Sequence, residues 1–470
     1  MKGEFLFYFY LYSIIVIVKN LGVKKMLKKL ILLLLFPTMI FGTTFSLFYS
    51  QNVLSLDDIK LFSNVFQPKI SYENTNFSFD VSLLFSSDGK FPPFMEDFYG
   101  DYYIILTDAG IRFSVENLQF SLGNLSNYDI VESPYSLYFS SLGHSRPTIS
   151  IKYLDDKFEY ETRYVLISYS DGSNFVDKGI NFKYYSIKFE NFRFGYEESI
   201  VYASRTNFDL DYFLNPIPNF FIQYVRENSF YKDGLFNDNS IMGFFADYKD
   251  SEKYIYAQLL IDDFNANRIF NPDNPTVDKI AWSIGGRKEI RKDLSMGIYH
   301  AGSTKYTFQP SSNAGNPLYY GYTYYTEVVF DSYEIDYQDN YIGYKYGENN
   351  IAFLLDIIWT PQNYKIHSSL EFLISGSKSP VNPWGEYETY EPGFNLLNED
   401  VLEKTILFKN SIEKNFGKIA LGANVLTGII LNKLEVVDSN DSVGKEYFLP
   451  SEKDEKIFNI DFYLNFNYNF

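Results

Sequence analysis

The 470-residue chain contains no cysteine. That excludes disulfides, thiolate zinc sites and cysteine nucleophiles, and it suits an exported protein without covalent staples. Histidine is almost as scarce. The three, His144, His300 and His367, lie far apart and show no metal-ligand spacing. Basic residues are outnumbered, 41 Lys and Arg against 59 Asp and Glu, which leaves a formal charge of −18 and a pI near 4.7. The cations are scattered and form no patch interleaved with aromatic rings, so nucleic acid is not an expected partner. Long apolar runs are missing after the N-terminus, and mean hydropathy is −0.19. No later segment has the length and character of a membrane-spanning helix. Catalytic motifs are lacking as well: there is no G-x-S-x-G, H-E-x-x-H or phosphate loop in a suitable context. His144 and Ser145 are adjacent, and neighbours on a strand point to opposite faces, which places them poorly for a dyad. The expectation is a non-enzymatic protein with no metal and no cofactor.

What the chain has in excess is aromatic rings, 20% of all residues, with 43 Tyr and 46 Phe against only 3 Trp. Such rings suit the interfacial girdles of a membrane barrel, where the ring meets lipid and a hydroxyl meets water. The C-terminal stretch EKIFNIDFYLNFNYNF is the most informative. Phe458, Ile460, Phe462, Leu464, Phe466, Tyr468 and Phe470 alternate with Asn459, Asp461, Tyr463, Asn465, Asn467 and Asn469. Side chains of a strand alternate faces, so this is one greasy and one polar face over a length that crosses a bilayer. It resembles the closing strand of bacterial outer-membrane barrels, in which a terminal aromatic residue is part of the assembly signal. The resemblance implies outer-membrane lipid and the barrel-assembly machinery as partners, the latter through the strand ending at Phe470.

At the other end, residues 26–42, MLKKLILLLLFPTMIFG, read as a signal peptide: Lys28 and Lys29, an apolar core from Leu30 to Phe36, and the small Gly42. Residues 1–25 read as sequence upstream of a true start at Met26; a genuine extended leader is the alternative, and an uncleaved anchor the third. Removing 1–42 takes away six lysines and one glutamate, leaving a charge of about −23. Residues 43–100 are less regular. Ser55-Leu-Asp-Asp opens like a capped helix, with Leu56, Ile59, Phe62, Val65 and Phe66 roughly to one side. The segment is expected to be a small periplasmic or plug-like unit.

From about residue 101 to 470 strand follows strand. Alternating runs include IRFSV, TISIKY, FEYETRY, INFKYY, FRFGY, YIYAQLLI, IAWSI, YGYTYYTEVVF, YKIHSSLEFLI, ILFKNSI and KIALGANVL. Turn signals separate them, among them Ser170-Asp-Gly, Lys232-Asp-Gly, Asn271-Pro-Asp-Asn-Pro, Ser311-Ser-Asn-Ala-Gly and Asn382-Pro-Trp-Gly. No βαβ rhythm occurs. Serial hairpins without helices require a sheet that closes or stacks to remove its edges, and export favours closure in the outer membrane. The longer connections, around 262–279, 302–319 and 376–400, are expected to be outer loops.

Four stretches in order resemble the Wzi-type capsule-assembly family of outer-membrane barrels. They are SPYSLYFSSLGHSRP at 133–147, YEESIVYASRTNFDLDYFLNPIP at 196–218, NDNSIMGFFADYKDSEKYIYAQLLIDDF at 237–264 and YIGYKYGENNIAFLLDIIW at 341–359. The resemblance implies an all-β transmembrane antiparallel barrel of about 18 strands with an N-terminal plug, and a role in binding or assembling capsular polysaccharide. The chain departs from the family in two ways: its pre-barrel segment is short for a helical bundle, and no Trp-Gly precedes the Ser-rich run.

Candidate ligand-binding residues are Glu197, Arg205, Asn239, Asp262, Asp263, Trp384 and Tyr387. Carboxylates suit sugar hydroxyls and cations, and rings stack on sugar faces. The same carboxylates also serve as turn acceptors or lumenal ion-pair partners, and the rings as headgroup-level anchors. A porin-like channel for small polar solutes or cations is the principal alternative, since a barrel this long has room for an aqueous lumen.

Overall fold

The computed structural model describes residues 43–56, 59–95, 99–139, 145–169, 177–203, 208–228, 238–263, 276–309, 342–379, 391–438 and 446–469. The signal peptide and leader expected at 1–42, the C-terminal Phe470, the strand expected at 320–330 and all five turn signals named above lie outside these residues.

Eighteen strands make a closed antiparallel barrel. They are β1 (Thr44–Leu56), β2 (Ile59–Glu73), β3 (Phe77–Ser86), β4 (Tyr103–Val115), β5 (Leu118–Leu125), β6 (Arg146–Leu154), β7 (Phe158–Ser168), β8 (Lys178–Phe189), β9 (Phe192–Ala203), β10 (Asp238–Lys249), β11 (Lys253–Asp263), β12 (Val277–Arg291), β13 (Leu294–Ser303), β14 (Asn350–Trp359), β15 (Tyr364–Ser375), β17 (Glu403–Asn415), β18 (Ile419–Leu431) and β21 (Glu455–Asn469). Among the described residues three short strands lie outside the ring: β16 (Gly393–Phe394), parallel to β12, and the hairpin of β19 (Leu434–Asp438) with β20 (Glu446–Pro450). Among the described residues two helices, α1 (Leu210–Leu214) and α2 (Asn219–Asn228), sit between β9 and β10.

Each barrel strand pairs with its sequence neighbours, and β21 closes the ring on β1, from Thr44 opposite Asn469 to Leu56 opposite Ile457. The first and last strands therefore begin and end at the same rim. Tight turns gather there. Glu116-Asn117 and Glu190-Asn191 are two-residue turns of this kind, with Glu116 at φ 51° and Glu190 at φ 52°. Positive φ at the first central residue gives these hairpins the twist that their strands share. The connections expected to be outer loops, around 262–279, 302–319 and 376–400, start where β11, β13 and β15 end, at the opposite rim.

Residues 44–86 do not form a plug. They are barrel strands β1, β2 and β3, and the helix expected from Ser55 is the hairpin joining β1 to β2, with Leu56 paired to Ile59. Ser and Asp favour a helix cap and a tight turn by the same means, local hydrogen bonds from short polar side chains. The flanking residues decide between the two. Phe45, Leu47 and Tyr49 alternate with Ser46, Phe48 and Ser50, a strand rhythm, and β1 runs on to Leu56.

Alternation sorts the wall into two faces. Phe158, Ile187, Phe192, Phe194, Phe244, Ile255, Ile284, Ile298, Phe353, Phe372, Phe408, Phe458 and Phe462 are exposed on the outside. In water such a continuous apolar belt would be an aggregation surface, and around a closed barrel it is the lipid-facing band of an outer-membrane protein. Polar side chains from the alternate positions line the inside. Arg112 and Lys69 meet Asp80 at 2.8 and 2.9 Å, and Asn424 meets Asp461 at 2.9 Å.

Candidate functional site

The connection after β5 does not stay at the rim. Residues 126–139 fold into the lumen, reach the short-turn end and return. Tyr135, Leu137 and Tyr138 are fully buried there, packed with Phe182, Tyr184, Phe245, Tyr254, Tyr256, Tyr344 and Tyr346. Phe139 meets Phe182 edge-on on β8, and the Tyr135 hydroxyl donates to Glu371 Oε1 at 2.8 Å on β15. The segment thus bridges strands seven places apart in the ring. The Ser-rich composition explains the local path. Ser133 Oγ accepts from Tyr135 N at 2.9 Å, and Ser136 Oγ donates to Ser133 O at 3.0 Å, which closes a turn without a second strand. The rings supply the burial that holds the turn inside.

Polar groups pin the segment along its length. Asp129 accepts from Tyr138 N at 2.9 Å and from Gln258 Nε2 at 3.0 Å. The same Gln258 amide donates to Glu197 Oε1 at 2.9 Å, and its oxygen accepts from Leu137 N at 3.1 Å. One glutamine therefore links the inserted segment to two carboxyl groups. Arg193 is the second anchor. It donates to Ile130 O at 3.0 Å and pairs with Glu159 at 3.0 Å and Asp247 at 2.6 Å. Lys188 reaches the other Glu159 oxygen at 2.7 Å, and Tyr254 OH donates to Asp247 at 3.2 Å while accepting from Glu132 N at 2.9 Å. Arg163 donates to Tyr128 O at 2.8 Å and lies over the Phe139 and Phe182 rings. At the deepest point Glu132 pairs with Lys249 and, at 3.5 Å, with Arg287.

A second cluster narrows the long-connection end. Residues 304–309 and 342–349 turn inward beneath the rim. The Glu348 carboxylate is fully buried and accepts from Tyr306 N and Ser379 N, each at 2.6 Å, and from the Gln309 amide. Burial pushes its pKa up to about 7, against the hydrogen bonds and the nearby Lys305 charge. Lys378 donates to Tyr346 O at 2.7 Å, and burial brings its pKa down to about 8. Lys345 pairs with Glu371 at 2.6 Å and lies over the Tyr135 and Tyr346 rings, so it couples this cluster to the inserted segment.

The structure places three of the expected site residues on the lumenal face. Glu197 is fully enclosed, bonded to Gln258 and beside Asp129, with Oε2 free of any hydrogen bond. Asn239 lies near the long-connection end of β10, opposite Val201. Asp262, at the end of β11, accepts from Phe308 N at 2.7 Å and faces Lys279 at 3.9 Å. These three are not one cluster: Glu197 belongs to the inserted segment's anchor, Asp262 to the rim. Asp263 is the last residue of β11, across from Lys279. Arg205, Trp384 and Tyr387 lie outside the described residues, as does His144. Ser145 bonds with Ser126 Oγ at 3.1 Å. Sequence reasoning missed Asp129, Gln258, Arg193 and Glu348. For the run 126–139, the only signal was its polarity, Ser-rich with interspersed Tyr, in the place of a strand.

No family model and no curated protein matches the chain. Solved structures do. The chain is similar to Wzi of Escherichia coli, an outer-membrane protein involved in group 1 capsule assembly and described as a carbohydrate-binding β-barrel, with 10% identity over 91% of this chain and 85% of that one, TM-score 0.51. It also matches Acinetobacter baumannii OccAB2, 13% identical over 91% and 98%, TM-score 0.46, and Pseudomonas aeruginosa OpdK with vanillate, 8% identical over 91% and 99%, TM-score 0.45. At these identities the likeness establishes the fold of an outer-membrane β-barrel.

Proposed function

We propose that this protein is a non-enzymatic outer-membrane barrel of the Wzi kind that binds surface polysaccharide, or holds it during assembly, at its outer end. The observation that carries the reading is the inserted segment 126–139. Its side chains join β8 to β15 across the bore, and its rings are buried against both. A lumen crossed in this way supports a surface role better than free diffusion. A polymer would meet the outer rim, where β10 begins at Asp238-Asn239 and β11 ends at Asp263; Asp262, with its side chain buried and bonded to Phe308 N, supports that rim rather than contacting the polymer. Glu197 then acts as a support of the inserted segment rather than a contact.

A porin-like reading retains one supporting observation. Opposite charges face each other inside the barrel, Arg193, Arg163 and Lys188 against Glu159, Glu161 and Asp247, and such rows guide small ions. Two measurements decide. Purified protein on a glycan array should retain acidic or neutral polymers, and planar bilayers holding it should show no steady conductance. Steady conductance with a blank array would replace the first reading by the second.

A further inference from the structure

The connection between β9 and β10 takes an unusual course, and its chemistry points to lipid. The outward positions of β7, β8 and β9 carry apolar residues near the short-turn rim: Phe158, Ile187, Phe192 and Phe194. Halfway along the strands the same face turns polar, with Thr162, Asn181, Lys183 and Glu198. Lys183 and Glu198 are cross-strand neighbours, and both are fully buried. A charged pair on the wall that faces hydrocarbon is costly unless something covers and satisfies it.

The α1–α2 elbow does both. Lys183 Nζ donates to Asn215 O at 2.7 Å and Ile217 O at 2.8 Å. Glu198 accepts from Asn219 N at 2.6 Å and Phe220 N at 3.4 Å. Asn219 Nδ2 donates to Asn181 Oδ1 at 2.9 Å, Thr162 Oγ1 to Phe213 O at 3.0 Å, and Tyr185 OH to Pro216 O at 3.2 Å. The sequence NPIPN suits the task. Asn215 and Ile217 each precede a proline, which disfavours helical backbone there and leaves their carbonyls for Lys183, and α2 opens directly after Pro218, so its first N–H groups, which lack helical partners, turn to the carboxylate. Tyr212, Phe213 and Ile222 fill the gap beneath with Tyr164, Leu166, Ile200 and Tyr202.

The other side of the elbow is mostly apolar and exposed, and the carboxylate it carries there, Asp211, is paired with Arg226. Leu214, Phe221, Tyr224 and Val225 are each more than half exposed, and Leu210 and Ile217 join them. Glu198 lies five residues below the outer end of β9, about 17 Å at strand rise, and four above Phe194. An outward apolar belt is about 25 Å tall. The tip of the elbow therefore sits at the level of the belt and continues its surface.

We propose that residues 210–225 are embedded in the outer leaflet, with Phe221, Tyr224 and Val225 in contact with acyl chains. The elbow is a membrane-facing clamp that neutralises the Lys183–Glu198 pair on one side and binds lipid on the other. This rests on the barrel's place in the membrane and not on the polysaccharide reading.

The cysteine-free chain makes a direct test simple. Single variants Phe221→Cys, Val225→Cys and, as a wall control, Phe194→Cys carry a bimane label in vesicles of phosphatidylcholine with brominated acyl chains. Labels at 221 and 225 should be quenched by the brominated chains as strongly as the label at 194, and aqueous iodide should have little effect. Quenching by iodide alone would overturn the proposal and place the elbow in water. Quenching by neither would also overturn it, because a protein partner or second copy would then cover the face. Glu198→Gln provides an independent readout: it should speed amide exchange at Asn219 and Phe220 at least tenfold, and unchanged exchange would remove the clamp.

Discussion

At the scale of single residues, the lumen depends on a few side chains with several partners each. Gln258 is one. Its amide group serves Asp129, Glu197 and Leu137 N together. Gln258→Leu keeps the volume, leaves Glu197 Oε1 and Leu137 N without their partner and removes one of the bonds to Asp129, a loss of about 1–3 kcal/mol. Urea unfolding of the reconstituted barrel should show it, and an unchanged midpoint would mean that water replaces the amide. Gly243 is another. A β-carbon there would meet Leu259 O at 1.8 Å and the Tyr138 hydroxyl at 2.7 Å. Gly243→Ala should displace Tyr138 and loosen the inserted segment, seen as faster tyrosine modification at 138. Glu348 adds a pH dependence. Its pKa rises from the ordinary 4.5 to about 7 in the folded state. Between those values the folded chain holds a proton that the unfolded chain has released, so this stabilisation is full below about 4.5 and is lost as pH rises through about 7. Glu348→Gln should flatten that slope in thermal melts taken from pH 4.5 to 7.5. A slope that persists in the variant would assign the effect elsewhere.

At the scale of elements, the strands were legible because period-two alternation is a direct imprint of one face in lipid and one in polar surroundings. The Phe458-to-Tyr468 face is the clearest case, with Phe458 and Phe462 exposed outward and Asp461 and Asn465 turned to Asn424 and Glu413 inside. The β1–β2 hairpin reads as helical in the sequence because Ser55-Leu-Asp-Asp carries a signal shared by caps and turns. The elbow helices escaped notice since five and ten residues are too few for a helical period to show. The inserted segment was illegible for a deeper reason. Its residues are ordered by partners more than a hundred positions away, such as Tyr254, Gln258 and Glu371, and no local pattern records them. Deleting residues 128–138 and joining the ends with Gly-Ser should leave an eighteen-strand barrel, because none of these residues pairs in the wall. The deletion should turn a silent barrel into a conducting one in planar bilayers. Silence in the variant would show that the rim cluster around Glu348 alone closes the bore.

For the whole molecule, closure is what gives every outward residue the same surroundings, and it sets a sharp asymmetry across each strand. Phe462 and Asn465 lie three residues apart on β21, on opposite faces, near the middle and the lower part of the wall. The outward site faces hydrocarbon, where an arginine costs about 2–4 kcal/mol at the midplane. The inward site already sits 3.3 Å from Glu413, whose carboxylate is a ready partner for a guanidinium. Phe462→Arg should therefore lower the folding free energy into vesicles by about that amount, and Asn465→Arg should leave it within about 0.5 kcal/mol. The comparison is robust to any general effect of added charge, because both variants gain the same cation on the same strand. Equal losses at the two positions would mean that the outward face of β21 is not in lipid, and the membrane-spanning assignment of the ring would fall with that strand, since β21 is the element that joins its two ends.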